Sequence, residues 1–249
     1  FHLEAYNKIA INYNRDVEIY PVLNALFEGI YGSNPYKSPT DMGVNMVGFC
    51  ISDDEACCEA SKDEIVRRYY AATNKLALGA CNEEEIAKIQ MLFNQAKIST
   101  DYRKVTVAAK NHKKETGHTS SAIELEDGTI ICGHSSELLG CSAALLLNVM
   151  KHLAGIDHNL KLIPQSMIEP IQHTKISYLG GRNPRLHTDE VLVALSVLSE
   201  NDENCRKALE QLHKLRGCQA HCTVMLSDVD QRIFKKLGVG LTCEPVMKK

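Results

Sequence analysis

The stretch Ala122–Gly155, AIELEDGTIICGHSSELLGCSAALLLNVMKHLAG, decides the fold. Its first part places short apolar runs on either side of Asp127-Gly128, a dipeptide suited to a tight turn because glycine takes positive φ without steric cost. Two short strands joined as a hairpin are expected there. The second part, from about Ser136, is an apolar run that meets Lys151 and His152 just before Gly155. A basic last turn and a glycine stop are the marks of a helix end, so this segment is expected to be a buried helix.

Working outward, YRKVTVAAK (Tyr102–Lys110) reads as a further short strand and NHKKETGHTSS (Asn111–Ser121) as a polar loop. Downstream, a short strand is expected around Leu160–Ile163, then helices near 165–179, 188–199 and 202–215. AHCTVMLS (Ala220–Ser227) and VGLTCEP (Val239–Pro245) read as strands flanking a short helix, DVDQRIFKKLG (Asp228–Gly238). Alternating helices and strands are best buried as a layered sheet with helices packed on it. The fold class is therefore α/β in this half and α+β for the whole chain.

The first hundred residues read as helices. NRDVEIYPVLNALFEGIYG (Asn14–Gly32) has helical spacing, with Asn14 or Asp16 as start, Gly32 as stop, and a restart expected at Pro21. Further helices are expected over Asp54–Leu78 and from Asn82 to about Ala96, where Glu83, Glu84 and Glu85 favour a helix N-terminus. Between the first two of these helices, Tyr36–Asp54 shows little period and reads as a long loop, with SPTD (Ser38–Asp41) as a turn or cap signal. The division is a helical subdomain over 1–101 and an α/β subdomain over 102–249.

Composition bounds the function. The chain has 249 residues, 24% charged and 44% hydrophobic, with a net charge of -3, so no basic excess points to nucleic acid. The longest apolar run, Cys141–Met150, is interrupted by Asn148 and falls well short of the roughly 20 residues that cross a bilayer. The ten cysteines are spread through a long chain, and most are read as free thiols in a reducing cytoplasm. Because the chain opens at Phe1 as though inside an ordered segment, it is expected to be a portion of something longer.

The richest chemistry lies in GGRNPRLHTDEVLVALSVL (Gly180–Leu198). Arg182, Asn183 and Arg185 precede Thr188, the expected N-cap, and Asp189 and Glu190 fill the first turn. Guanidinium groups form paired bonds to phosphate or carboxylate, a helix start offers free amides for the same purpose, and His187 adds an imidazole, a side chain able to give or take a proton. Two readings stay open: the arginines pair with Asp189 and Glu190, or they hold an anionic ligand.

Other motifs carry less. Cys218 and His221 have CxxH spacing, with Cys222 next to them and Cys132 and His134 on the hairpin, but a second close pair for zinc is not obvious. No metal ligands are assigned. Cys141 reads as a core residue, Cys57 and Cys58 as pointing apart on a helix, and Ser136 and Ser142 as cap and packing residues. Neither GxxxxGK[ST] nor GxSxG occurs. The hairpin followed by GHSSELLGCSAAL has the layout of a cytidine-deaminase core, yet the acid beside Cys141 is missing and no PCxxC follows.

Taken together, YNRDVEIYPVLNALFEGIYG (Tyr13–Gly32), PYKSPTDMGVNM (Pro35–Met46), SSELLGCSAA (Ser135–Ala144), NPRLHTDEVLVALS (Asn183–Ser196), KLRGCQAH (Lys214–His221) and LTCEP (Leu241–Pro245) form a specific set in order. They resemble the bacterial family called domain of unknown function 1846, also known as uncharacterised protein family 0371. The resemblance implies the C-terminal half of a member: a helical subdomain, then an α/β subdomain with cytidine-deaminase-like layering. It also implies a partner, the N-terminal half with its glycine-rich, phosphate-loop-like segment. Some members carry the label ATP-dependent peptidase; no catalytic residues transfer. Cys222 stands where the family more often has Ser.

The expectation is a cytosolic enzyme portion acting on a phosphorylated, nucleotide or other anionic small molecule. Arg182, Asn183 and Arg185, with Lys37, Ser38, Thr40, Asp41 and Asn45, would bind the ligand, and His187 would move a proton. The cofactor is left unassigned, neither nucleic acid nor membrane is expected as a partner, and self-association is left open. The alternatives are a noncatalytic assembly or docking module and a zinc-dependent hydrolase.

Overall fold

The computed structural model describes residues 14–46, 53–80 and 82–246. Its backbone divides into two compact units, residues 1–103 and 104–249.

Unit one is helical. Helix α1 (Asn14–Tyr31) runs unbroken through Pro21, contrary to the expected restart. An interior proline removes one backbone bond. Side-chain ties hold the helix regardless: the Tyr20 hydroxyl donates to the Tyr36 carbonyl at 3.0 Å, and Phe27 packs edge-on against Tyr36. Gly32, at φ +75°, then ends it. Part of the expected Tyr36–Asp54 loop is helix α2 (Pro39–Met46), and residues 47–52 of it lie outside the described residues. The cap signal read in SPTD is the reason: Pro39 takes the first helical position, and Ser38 Oγ accepts from the Asp41 amide at 3.1 Å.

Helix α3 (Asp54–Ala77) starts behind Asp53, whose side chain accepts from the Ala56 amide, and α4 (Glu83–Ala96) starts behind Asn82. Both sit where helical spacing put them. Ile65, Ala72, Ile89 and Leu92 form their shared core, with Tyr69 against Phe93.

Unit two is the layered α/β half. It opens with a correction: Lys104–Thr116 is helix α5, neither a strand nor a loop. Val105, Thr106 and Val107 favour strands as residue types, but the buried set Val105, Thr106 and Ala109 has helical spacing and covers one sheet face. Strands β1 (Ser120–Glu124) and β2 (Ile130–His134) form the expected hairpin, with Ala122 opposite Cys132 and Gly128 at φ +83° in the turn.

Helix α6 (Cys141–Leu153) begins five residues after the expected Ser136. The intervening residues make a turn instead, because Ser136 Oγ accepts from the amides of Leu138 and Leu139. Gly133 lets α6 lie close on β2: a Cβ there would stand 2.4 Å from the Leu145 amide nitrogen. No strand forms at Leu160–Ile163; that segment is irregular, tied down by Lys151 Nζ donating to the His158 carbonyl at 2.7 Å. The helix expected over 165–179 is α7 (Gln165–His173) followed by a π turn over Thr174–Tyr178.

Next come α8 (Thr188–Leu198), α9 (Glu203–Glu210) with a 3-10 turn over Gln211–Leu215, β3 (Gln219–Cys222), α10 (Asp228–Lys236) and β4 (Gly240–Cys243). The sheet order is β2-β1-β3-β4, with β1 antiparallel to both neighbours and β3 parallel to β4. Thus β2, β3 and β4 point the same way and end at one sheet edge. Val105 and Ala109 of α5 cover the Ala122 face, while Ile123 on the opposite face joins Leu145, Leu146 and Val149 of α6 in the main core. In α/β sheets the edge where parallel strands end is where loops and helix N-termini gather around ligands.

Candidate functional site

Two helices begin near that edge and share one carboxylate. Ser227 caps α10, and its hydroxyl reaches Asp230 in the first turn: Ser227 Oγ donates to Asp230 Oδ2 at 2.8 Å and accepts from the Asp230 amide at 3.3 Å. This is a capping arrangement in which side chain and backbone satisfy one another. Asp230 is buried and also serves α8: Oδ1 accepts from the Thr188 amide at 2.9 Å and the Thr188 hydroxyl at 2.8 Å. Oδ2 accepts from His187 Nδ1 at 2.9 Å. Burial alone pushes this carboxyl upward, but the bonds from His187, Thr188 and Ser227 outweigh it and hold it well below the usual carboxylate range.

An ionised Asp230 obliges Nδ1 of His187 to carry the proton. The ring is thereby fixed, and no protein group among the described residues bonds Nε2. The side chain is 27% exposed. The backbone places His187, not Thr188, at the N-cap of α8: its amide donates to Glu190 Oε2 at 2.7 Å. Thr188 cannot serve as cap because its hydroxyl is committed to Asp230.

The rest of the turn is anchored by Lys175, Glu190, Asn183 and backbone carbonyls. Glu190 pairs with Lys175 at 2.7 Å, and the same Lys175 Nζ donates to the Arg185 carbonyl at 2.8 Å. Asn183 Oδ1 accepts from the Arg185 amide at 3.2 Å. Arg185 Nε donates to the Ser136 carbonyl in the loop after β2, and Leu139 bridges Leu186 in parallel. Arg182 is exposed. Among the described residues, neither arginine forms an ion pair. Of the two open readings, pairing of the arginines with Asp189 and Glu190 is not what the turn does; Glu190 goes to Lys175.

Lys37, Ser38, Thr40, Asp41 and Asn45 gather in unit one at the start of α2. There the Lys37 amide donates to Asp41 Oδ2 at 2.6 Å and Asn45 Nδ2 donates to Asp41 Oδ1 at 2.5 Å. Ser61 Oγ bonds both the Thr40 amide and the Thr40 hydroxyl. Ser38, Thr40 and Asp41 are all buried, and the Lys37 side chain is exposed beside Lys62 at a cavity of about 160 Å³.

The CxxH pair is engaged in the fold. Cys218 Sγ donates to the Lys214 carbonyl, and buried His221 bonds Thr242 Oγ1 at 2.9 Å. Its Nε2 lies 3.5 Å from Glu244, which also pairs with Lys110. The His221 bond, joined by Lys110 and opposed by burial, holds the Glu244 carboxyl down at about 2. His221 and Cys222 do face opposite ways, since Cys222 clusters with Cys141 and Cys243 on the other side of the sheet. No group of three or more His, Cys, Asp or Glu among the described residues is arranged to hold a metal ion.

The sequence reading missed Asp230, Ser227 and a histidine cluster of His112, His118 and His134. Ser227-x-x-Asp230 has the pattern of a capping box and could have flagged the first two.

Two family models match the chain: "Domain of unknown function DUF1846, C-terminal" over residues 101–249 and "Domain of unknown function DUF1846, N-terminal" over residues 1–97. The chain belongs to the DUF1846 family. Because residues 1–97 match the N-terminal description, this DUF1846 chain is not confined to the C-terminal domain as expected. It is 53% identical over 245 residues to the UPF0371 protein cu0538 of Corynebacterium urealyticum, covering 98% of this chain and 49% of that protein. It is 48% identical over 245 residues to the UPF0371 protein str1377 of Streptococcus thermophilus, covering 98% and 50%. With the UPF0371 protein DIP2346 of Corynebacterium diphtheriae it shares 49% over 249 residues, covering 100% and 50%. The chain thus spans about half the length of the curated DUF1846 relatives it matches.

Proposed function

We propose that unit two carries out proton transfer on a small anionic molecule, a phosphate ester or carboxylate, with His187 as general base and acid. The observation that carries this reading is the Asp230–His187 pair: a buried carboxylate bound by His187, Thr188 and Ser227 orients an imidazole whose Nε2 remains open. Arg182 and Arg185 hold the anion, and Asn183 and Lys175 shape the turn that presents them. In unit one, Lys37 is the anion contact of its own turn, while Ser38, Thr40, Asp41 and Asn45 build that turn. We place this chemistry in the reducing cytosol, as the spread of cysteines along the sequence leads one to expect. The rest of a full-length relative supplies the remainder of the active protein.

The test is a thermal-shift screen of nucleotides, phosphosugars and dicarboxylates against the wild type, His187→Gln and Arg185→Ala. A ligand at about 100 times its Kd adds roughly 2.7 kcal/mol of apparent stability. We expect an anionic ligand to raise the wild-type Tm and to lose that effect in Arg185→Ala. Once turnover is found, His187→Gln lowers kcat by about 100-fold or more. A response equal in all three proteins rejects the site.

A second reading, unit one as a docking module, is favoured by one observation. Ile19, Val22, Leu26 and Ile30 form an exposed apolar stripe along α1. Leu26→Glu then abolishes any self-association or capture of the remaining family segment seen by sedimentation.

A further inference from the structure

Within unit one, α1, α3 and α4 border a groove of about 510 Å³. Each helix turns one face to it: Glu18 and Val22 of α1, Arg67, Ala71 and Lys75 of α3, and Lys88 and Leu92 of α4 line it at intervals of four residues. Small-molecule sites have about this size, roughly 300–1,000 Å³. Along α3 the lining runs from Glu64 to Lys75, a length of about 16 Å at the helical rise, so an elongated molecule fits it best. Ile89 and Leu92, both buried, form the apolar floor, and the exposed side chains of Val22 and Ala71 form the walls.

The charges around the groove are unevenly committed. Glu64 takes both arginines, Arg67 at 2.7 Å and Arg68 at 3.1 Å. Lys75, near the end of α3, and Lys88, near the start of α4, reach the same groove because the chain turns back through residues 78–82. Among the described residues, neither ammonium group has a hydrogen-bond or ion-pair partner. Of the other acids in the lining, Glu85 has a partner of its own, which leaves Glu18 to compete for the two lysines.

Two uncommitted ammonium groups beside a hydrocarbon-lined channel suit a ligand with one anionic end and an apolar body. The ammonium N–H groups donate charge-assisted bonds to a carboxylate, and the apolar body gains by leaving water. Sugars and nucleotides fit poorly, since their hydroxyls and ring edges would be left unpaired against Val22, Ala71, Ile89 and Leu92. We infer that this groove binds an aliphatic carboxylate, its head between Lys75 and Lys88 and its tail along the apolar floor. The site lies wholly in unit one and does not rest on the His187 reading.

The experiment is calorimetry on the intact chain with octanoate, decanoate and decyltrimethylammonium, each kept below its micelle concentration. The expected result is one decanoate per chain, bound about tenfold tighter than octanoate for the two added methylenes, and no saturable binding of the cation. Lys75→Gln/Lys88→Gln weakens decanoate about tenfold, Glu18→Gln strengthens it about twofold, and Ala71→Phe, which fills the channel, abolishes it. All four positions are exposed, and circular dichroism confirms that each variant folds. His187→Gln leaves decanoate binding unchanged whatever the fate of the proton-transfer reading. Absent decanoate binding, several equivalents per chain, equal affinity for octanoate and decanoate, or equal binding of the cation overturns the inference. So does full affinity in the double lysine variant or in Ala71→Phe, or a weakened complex with Glu18→Gln.

Discussion

Two polar turns, one in each unit, look alike in sequence and differ in how their groups are used. Both Lys37–Asn45 and Arg182–Glu190 combine cations, Asn, Pro and hydroxyls ahead of a helix. In unit one, the turn's own Asp41 and Ser38 bond the turn's own amides, and Ser61 takes Thr40, so the polar atoms close on one another. In unit two, the carboxylate comes from Asp230, 43 residues away from its His187 partner. Imported from α10, it can lie beneath the turn and bond the inner side of the imidazole, which leaves the outer nitrogen open. The first turn satisfies its own polar atoms, whereas the second is held by a carboxylate from another helix.

The largest effect that sharpens this contrast is removal of the buried carboxylate. Asp230→Ala leaves Thr188 and His187 donors without their acceptor and is expected to lower unfolding stability by about 3 kcal/mol in urea titration. A loss below about 1 kcal/mol would place Asp230 among ordinary cap residues.

Next is the response to acid. The Asp230 and Glu244 carboxyls are held below their ordinary values of 3.8 and 4.5, so the unfolded chain binds protons more readily there. Their stabilisation is complete above those ordinary values and drains away as pH falls toward the folded values. Asp16 in unit one is shifted the other way: burial raises it, against the pull of Arg68, so protonation relieves a cost. Hydrogen exchange, corrected for intrinsic rates, should show residues 104–246 losing protection faster than residues 14–46 and 53–80 between pH 5 and pH 3. Asp230→Asn and Glu244→Gln flatten that loss.

A smaller effect is expected in the self-capped turn. Ser38→Ala removes the N-cap bond of α2 and costs about 1 kcal/mol in urea titration. The smallest is Arg182→Ala, an exposed position where stability stays within about 0.5 kcal/mol. If that variant retains full anion response, the contrast between the turns rests on Arg185 and His187 alone.

What could be read from sequence follows the range of the interactions. The hairpin was legible because Asp127-Gly128 is a local turn signal, and α4 because Glu83, Glu84 and Glu85 mark its N-terminus within one turn. Helix α5 was misread because Val105, Thr106 and Val107 mimic a strand, and only packing on the sheet reveals that Val105 and Ala109 share a face. His187 and Arg185 stood out as a dense polar cluster ahead of a helix. Asp230 did not, since its role depends on α8 and α10 starting side by side; the histidine cluster likewise forms only when α5 crosses the end of β2.

The most direct test is the tautomer of His187, read by nitrogen-15 NMR of the imidazole at pH 8, with and without inorganic phosphate. Orientation by an ionised Asp230 requires a proton on Nδ1 and a bare Nε2 whose signal moves on adding phosphate, and Asp230→Asn should scramble that assignment. A proton resident on Nε2 with a bare Nδ1 in the wild type would contradict the dyad and the chemistry built on it.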